Sequence, residues 1–157
     1  MGLFRGVELT LSYVAHSLFR FVQLVLALTV CGLYAVDLNR TSRAGKYSDG
    51  RWVYAEVTAA LAAVTALIYL VPSAARLPMA FVWDAILFLL WIALFGLFGN
   101  MYIRERAEGD SGVQRMKNAV WVDLANALLW LLSAVGMAIF WRRNQASRTK
   151  WTGRARV

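Results

Sequence analysis

The sequence predicts an all-α membrane protein, a four-transmembrane-helix bundle with cytosolic N- and C-termini. Three observations carry that class. Four long apolar stretches fill most of the 157 residues, the segments between them are short, and a basic cluster follows the last stretch. Hydrophobic residues make up 60% of the chain and mean hydropathy is +0.53. A soluble domain sits nearer ~45–50% apolar.

The spans read as residues 12–36, 52–71, 79–99 and 119–141. Each is near or above the ~20 residues that carry a helix across ~30 Å of hydrocarbon. The first does not read as a cleavable signal peptide. It is too long, lacks a small-residue cleavage site and leads straight into a second span. The intervening segments, 37–51, 72–78 and 100–118, are too short to bury cores of their own. Residues 1–141 therefore read as one transmembrane domain. Residues 142–157 read as a basic, disordered cytosolic tail.

Punctuation agrees with these spans. Pro72 and Pro78 bracket the shortest connection, where helices seldom continue. Gly45, Asp49 and Gly50 mark a turn before the second span, and Gly109 to Gly112 mark one before the fourth. Residues 4–17 are mixed in character and suit a short helix lying in the membrane interface. Trp52, Tyr54, Tyr69, Trp83, Tyr102, Trp121 and Trp141 lie near span ends, as interfacial aromatic belts do.

Net charge is +8, and six of the seventeen Lys and Arg residues lie in the last sixteen positions with no acid among them. Arg142, Arg143, Arg148 and Lys150 directly follow a span and suit contact with anionic inner-leaflet headgroups. A plain topology signal explains the same cluster. With four spans both ends share one side. The cluster places them in the cytosol, although raw counts are close: nine basic residues on that side, six of them in the cluster, against eight in the two outer loops. The triplet Asn39-Arg40-Thr41, a glycosylation pattern, then falls in an outer loop. No folded basic surface accompanies the tail, so nucleic acid is not an expected partner.

Cys31 is the only cysteine and His16 the only histidine. An intrachain disulfide, a CxxC redox centre and bis-histidine haem ligation are thereby excluded. No metal or organic cofactor is expected, and a lipid or sterol is the ligand class that suits the chain.

Polar groups in hydrocarbon are costly and need partners or a purpose. They are His16, Arg20 and Gln23 in span one, Glu56 in span two, Asp84 in span three, and Asp123 and Asn126 in span four. Spans one and three start on the same side. Arg20 and Asp84 both lie about one to two turns in from it, at ~1.5 Å per residue. They are natural partners, with His16 or Gln23 adding a hydrogen bond. Glu56, Asp123 and Asn126 share the equivalent layer at the opposite end, with Arg51, Arg115 and Lys117 within reach. Span four also carries Asp123, Asn126, Trp130, Ser133 and Met137 at helical spacing. Two readings follow. One is bundle glue. The other is a proton or cation path lined by Glu56, Asp84 and Asp123.

Span two repeats small residues, Ala55, Ala59, Ala62, Ala63 and Ala66, on one stripe. Small residues let helix backbones approach closely. The stripe packs inside the monomer or serves self-association.

Span one reads Arg20-Phe21-Val22-Gln23 followed by Gly32-Leu33-Tyr34. Span three reads Trp83-Asp84-Ala85, then Trp91 and Phe95-Gly96. Span four reads Val120-Trp121-Val122-Asp123-Leu124-Ala125-Asn126 and continues to Trp130. This pattern resembles the fungal branch of the MARVEL, or membrane-associating, domain family, over nearly the whole chain except the basic tail. The resemblance implies a four-helix bundle with both ends cytosolic, in the plasma membrane or an endomembrane. It implies roles in membrane apposition, vesicle trafficking and microdomain organisation, with no catalysis. The expected partners are membrane lipids and further copies of the chain as a homo-oligomer. An accessory role beside another membrane protein stands as an alternative, as does a small proton-coupled carrier or channel.

Overall fold

Backbone N–H and C=O groups find no water in hydrocarbon, so a spanning segment closes its hydrogen bonds internally as a helix. The computed structural model describes the backbone of residues 2–43, 50–71, 80–106 and 111–151, and the side chains of 14–40, 42–43, 50–71, 80–106 and 111–143. Among the described residues there are four helices: α1 (Gly2–Arg43), α2 (Gly50–Tyr69), α3 (Ala80–Tyr102) and α4 (Ser111–Trp151). Each contains a segment long and apolar enough to cross a membrane: Val14–Arg40, Gly50–Tyr69, Ala80–Tyr102 and Ser111–Arg143. The chain is thus a multi-pass, all-helical bundle by length and composition.

The 20 and 23 residues of α2 and α3 span roughly 30–35 Å at about 1.5 Å per residue, close to the hydrocarbon thickness. At 42 and 41 residues, α1 and α4 run to roughly 60 Å and overshoot it. This overshoot corrects several sequence expectations. Residues 4–17 are not a separate interfacial helix but the start of α1, because no Pro or Gly interrupts residues 7–31. The segment 142–151 is helical, not disordered; residues 137–152 likewise contain neither breaker. Residues 152–157 lie outside the described residues. The Asn39-Arg40-Thr41 triplet sits on the last turns of α1 and not in a loop. Helix α4 begins at Ser111, so Gly112 belongs to its first turn. The expected breaks at Pro72 and Pro78 lie outside the described residues.

Where α2 ends, the ladder tightens. Leu70 N donates to Ala66 O at 3.1 Å and to Leu67 O at 3.2 Å, and Val71 N donates to Ile68 O at 3.1 Å. Such a shift to shorter-range bonds is a common way to satisfy terminal carbonyls.

The helices pack as a ring in chain order. Helix α1 lies close along α2, and α3 lies close along α4. Helix α1 also meets α4, while α2 and α3 approach least. The α2–α3 seam is bridged by long side chains. Tyr54 Oη donates to the Leu90 carbonyl at 2.9 Å, and Trp83 Nε1 donates to Thr65 Oγ1 at 3.0 Å. Ala55, Ala59, Ala62, Ala63 and Ala66 are all buried within the monomer. The stripe is spent on internal packing, so it offers no surface for self-association. Large side chains from the other helices fill the centre opposite this small-residue face: Tyr34, Trp91, Phe98 and Trp130, each with 0% exposure.

The outside is apolar on every helix. Leu18, Phe21, Leu28, Val64, Leu89, Leu132 and Phe140 are more than half exposed. A soluble protein rarely shows such continuous apolar surface, whereas hydrocarbon covers it at no cost.

Candidate functional site

Two polar layers lie inside the bundle, one toward each end. At the end where α1 and α3 begin, Arg20 and Asp84 are 1% and 0% exposed. Arg20 Nη2 lies 3.4 Å from Asp84 Oδ2, and Nη1 donates to Gln23 Oε1 at 2.8 Å. Ser133 Oγ from α4 donates to the same Asp84 oxygen. The Arg20 guanidinium lies over three aromatic rings, with centroids at 4.5 Å for Tyr69, 5.8 Å for Trp130 and 5.9 Å for Phe19. This one cluster therefore joins all four helices. Arg20 and Asp84 are also on diagonal helices of the ring, so their pairing draws opposite corners together. A planar guanidinium suits the place, since it engages carboxylate, amide and ring faces at once. His16 lies half-buried one turn before Arg20, and its Nε2 has no partner among the described residues.

At the other end, Tyr34 Oη donates to Asp123 Oδ2 at 2.7 Å. Asp123 is 0% exposed, and no cation pairs with it among the described residues. Tyr34 is held in an aromatic cluster. Its ring centroid lies 4.7 Å from Phe98 and 5.6 Å from Trp52, and Phe98 continues to Tyr102 at 6.3 Å. Long side chains on a helix lean toward its N-terminus. That lean carries the Tyr34 hydroxyl from the level of Val120 back to the level of Asp123. Asn126 Nδ2 donates to the Val122 carbonyl of its own helix at 3.1 Å.

The structure does not bring Glu56 to Asp123. No hydrogen bond or ion pair joins them among the described residues; Glu56 is half-buried on α2, beside Cys31 of α1. Depth along the axis predicted a shared layer, but the two carboxyls point in different directions around their helices. Arg115 does not reach either acid. Its Nη2 lies 2.6 Å from Asp37 Oδ1 and ties the start of α4 to the end of α1.

The sequence placed Tyr69 in an interfacial aromatic belt, whereas it is buried against Arg20; it offered Tyr34 only within the family-like pattern and Ser133 only on a polar face of α4. Helical spacing holds the missing signal for Tyr34. Arg20, Gln23, Ala27, Val30 and Tyr34 are all buried and follow one face of α1. Arg142 and Arg143 are exposed at the end of the described side chains. Arg148 and Lys150 lie on the α4 backbone, and their side chains are outside the described residues. Among the described residues, no three His, Cys, Asp or Glu side chains gather into a metal site. Comparison of the chain with family models, curated proteins and solved structures gave no match.

Proposed function

We propose that this chain is a non-enzymatic integral membrane organiser. It would act in microdomain formation, membrane apposition or vesicle trafficking through lateral helix contacts and lipid binding. The observation that carries this reading is the division of the surface. Arg20, Gln23, Asp84 and Ser133, and likewise Tyr34 and Asp123, are turned inward and engage one another, while all four outer faces are apolar. Exposed Arg142 and Arg143 stand at the end of the α4 span, next to exposed Trp141. Aromatic and basic groups in this order suit a headgroup layer. The MARVEL resemblance points the same way but finds no family-model match, so the geometry bears the weight.

The test is clustering in giant vesicles with and without anionic lipid, read by single-molecule photobleaching. The parent protein is expected to form clusters that anionic lipid enlarges. Reversing Arg142, Arg143 and Arg148 to Glu is expected to remove that enlargement, at roughly 1 kcal/mol of headgroup attraction per charge. Single, evenly dispersed subunits in both membranes would sink the reading.

One observation favours a second reading, a small proton-coupled carrier. Asp123 is a buried carboxyl whose partner is a neutral phenol, and such a group can take up and release a proton. Proton flux in reconstituted vesicles, abolished in Asp123→Asn, would support it. No flux in the parent protein would end it.

A further inference from the structure

We propose that the centre of the bundle binds a file of water molecules between Asp84 and Asp123. The observation is a set of fully or nearly fully buried side-chain polar atoms with no partner among the described residues, which the helical rise sorts into consecutive layers. Asp84 Oδ1 stands in the first. Gln23 Nε2 and Trp130 Nε1 stand in the second, Asn126 Oδ1 and Trp91 Nε1 in the third, and Asp123 Oδ1 and Thr58 Oγ1 in the fourth. All seven residues are between 0% and 1% exposed.

Helix arithmetic sets the layers. Ser133 contacts Asp84 and fixes the register of α4 against α3. Counting from that contact at about 1.5 Å per residue, Trp130, Asn126 and Asp123 lie roughly 5, 10 and 15 Å along the axis. Gln23 on α1 is three residues past Arg20, and Trp91 on α3 is seven past Asp84, which puts them at roughly 5 and 10 Å; Tyr69 against Arg20 sets α2, and Thr58, eleven residues before Tyr69, lies at roughly 16 Å. The Tyr34–Asp123 bond then fixes α1 against α4 at the far end of the file.

The chemistry of the layers selects the ligand. The first offers an acceptor, the second two donors, the third an acceptor and a donor, and the fourth an acceptor and a hydroxyl. A metal ion needs acceptors alone, and the indole and amide N–H groups would repel it. Water both donates and accepts, and a buried water typically makes about three hydrogen bonds. It bridges successive layers about 5 Å apart, a spacing too wide for a direct bond but suited to one intervening oxygen. Buried polar groups in native proteins nearly always find a protein or water partner. By the same count the buried Ala27 and Ala62, both with small side chains, lie at the level of the third layer.

The file is stoppered at both ends, by the Arg20 guanidinium at one and by the Tyr34, Trp52 and Phe98 rings at the other. Water occupancy therefore does not require flux, and the inference stands apart from both functional readings above.

The test uses the full chain in lipid nanodiscs with ¹⁵N-labelled tryptophan. Indole N–H resonances are assigned through Trp91→Phe and Trp130→Phe, and cross-relaxation to the water signal is recorded. Trp91 and Trp130 are expected to show direct water cross-peaks. Trp83, exposed near a span end with its indole donating to Thr65, is a surface reference whose cross-peak does not enter the test. Asn126→Leu, judged folded by retained dispersion of the other indole signals, is expected to lose the Trp91 cross-peak. If it does not fold, the parent spectrum decides alone. Absence of water cross-peaks at both Trp91 and Trp130 would overturn the proposal. So would a Trp91 cross-peak that is unchanged in folded Asn126→Leu.

Discussion

The two ends of the bundle each bury an aspartate, yet they treat it differently. Asp84 meets a guanidinium, a hydroxyl and, through Arg20, three aromatic rings, one from each of the other three helices. Asp123 meets one phenol beneath an aromatic cluster. The first arrangement holds charge by pairing it and ties four helices together. The second holds an acid where its charged form has little support, and ties only α1 to α4. Burial alone is therefore a poor guide to a membrane carboxyl. What decides its role is the set of donors its neighbours supply.

The sharpest way to break that contrast is to remove one partner at the paired end. Asp84→Ala leaves the Arg20 guanidinium buried without its carboxylate. Breaking a buried pair in this way costs about 3–5 kcal/mol in soluble proteins. The expected outcome is a large loss in SDS-titrated stability in mixed micelles. The double replacement Arg20→Met with Asp84→Leu removes both charges and is expected to recover most of it, because buried pairs often roughly break even against apolar residues of similar size. A double variant as unstable as Asp84→Ala would mean that the pair is more than a mutual neutraliser.

The phenol end is expected to respond less and in a different order. Tyr34→Phe removes the sole donor to Asp123 Oδ2 among the described residues and leaves that buried oxygen unpaired, at about 1–3 kcal/mol. Asp123→Asn keeps a carbonyl acceptor for Tyr34 and removes the charge that burial penalises, so about 1 kcal/mol or less is expected. The same unfolding titration ranks the two. An Asp123→Asn loss as large as that of Asp84→Ala would show that the ends are alike after all.

How much of this was legible in the sequence follows from the geometry of helices. Depth along a span can be counted at a fixed rise, and that count brought Arg20 to Asp84 without knowledge of orientation. Direction around the helix was not fixed the same way. Glu56 and Asp123 share a depth, but one faces Cys31 and the other faces the core. The Ala stripe of α2 was legible as a close-packing surface from its spacing. Whether it packed within the monomer was not, because in a membrane a lipid-facing apolar stripe and a helix-facing one look alike. Helix ends were misjudged wherever polar sequence was taken as a stop. Residues 37–43, 111–118 and 142–151 are polar but, apart from Gly112, contain no Gly or Pro, and all continue as helix.

The smallest expected effect lies outside both layers, at the Arg115–Asp37 tie between α4 and α1. Its contact is the shorter of the two ion pairs described, 2.6 Å against 3.4 Å for Arg20–Asp84, so distance alone would rank it first. Exposure reverses the ranking. The two side chains are 20% and 21% exposed, compared with 2% and 0% for Arg20 and Asp84. Water and salt reach the Arg115 pair, and such pairs contribute at most about 1 kcal/mol. Asp37→Asn is therefore expected to lower stability only slightly, and the difference is expected to shrink between 0.05 and about 0.5 M salt as the Debye length falls below ~10 Å. The Asp84→Ala loss is expected to be nearly insensitive to the same salt series, because its partner charge is sealed from solvent. Equal salt dependence at the two sites would show that bulk solvent and its ions reach Arg20, and that the first layer is not sealed from the aqueous phase as its burial implies.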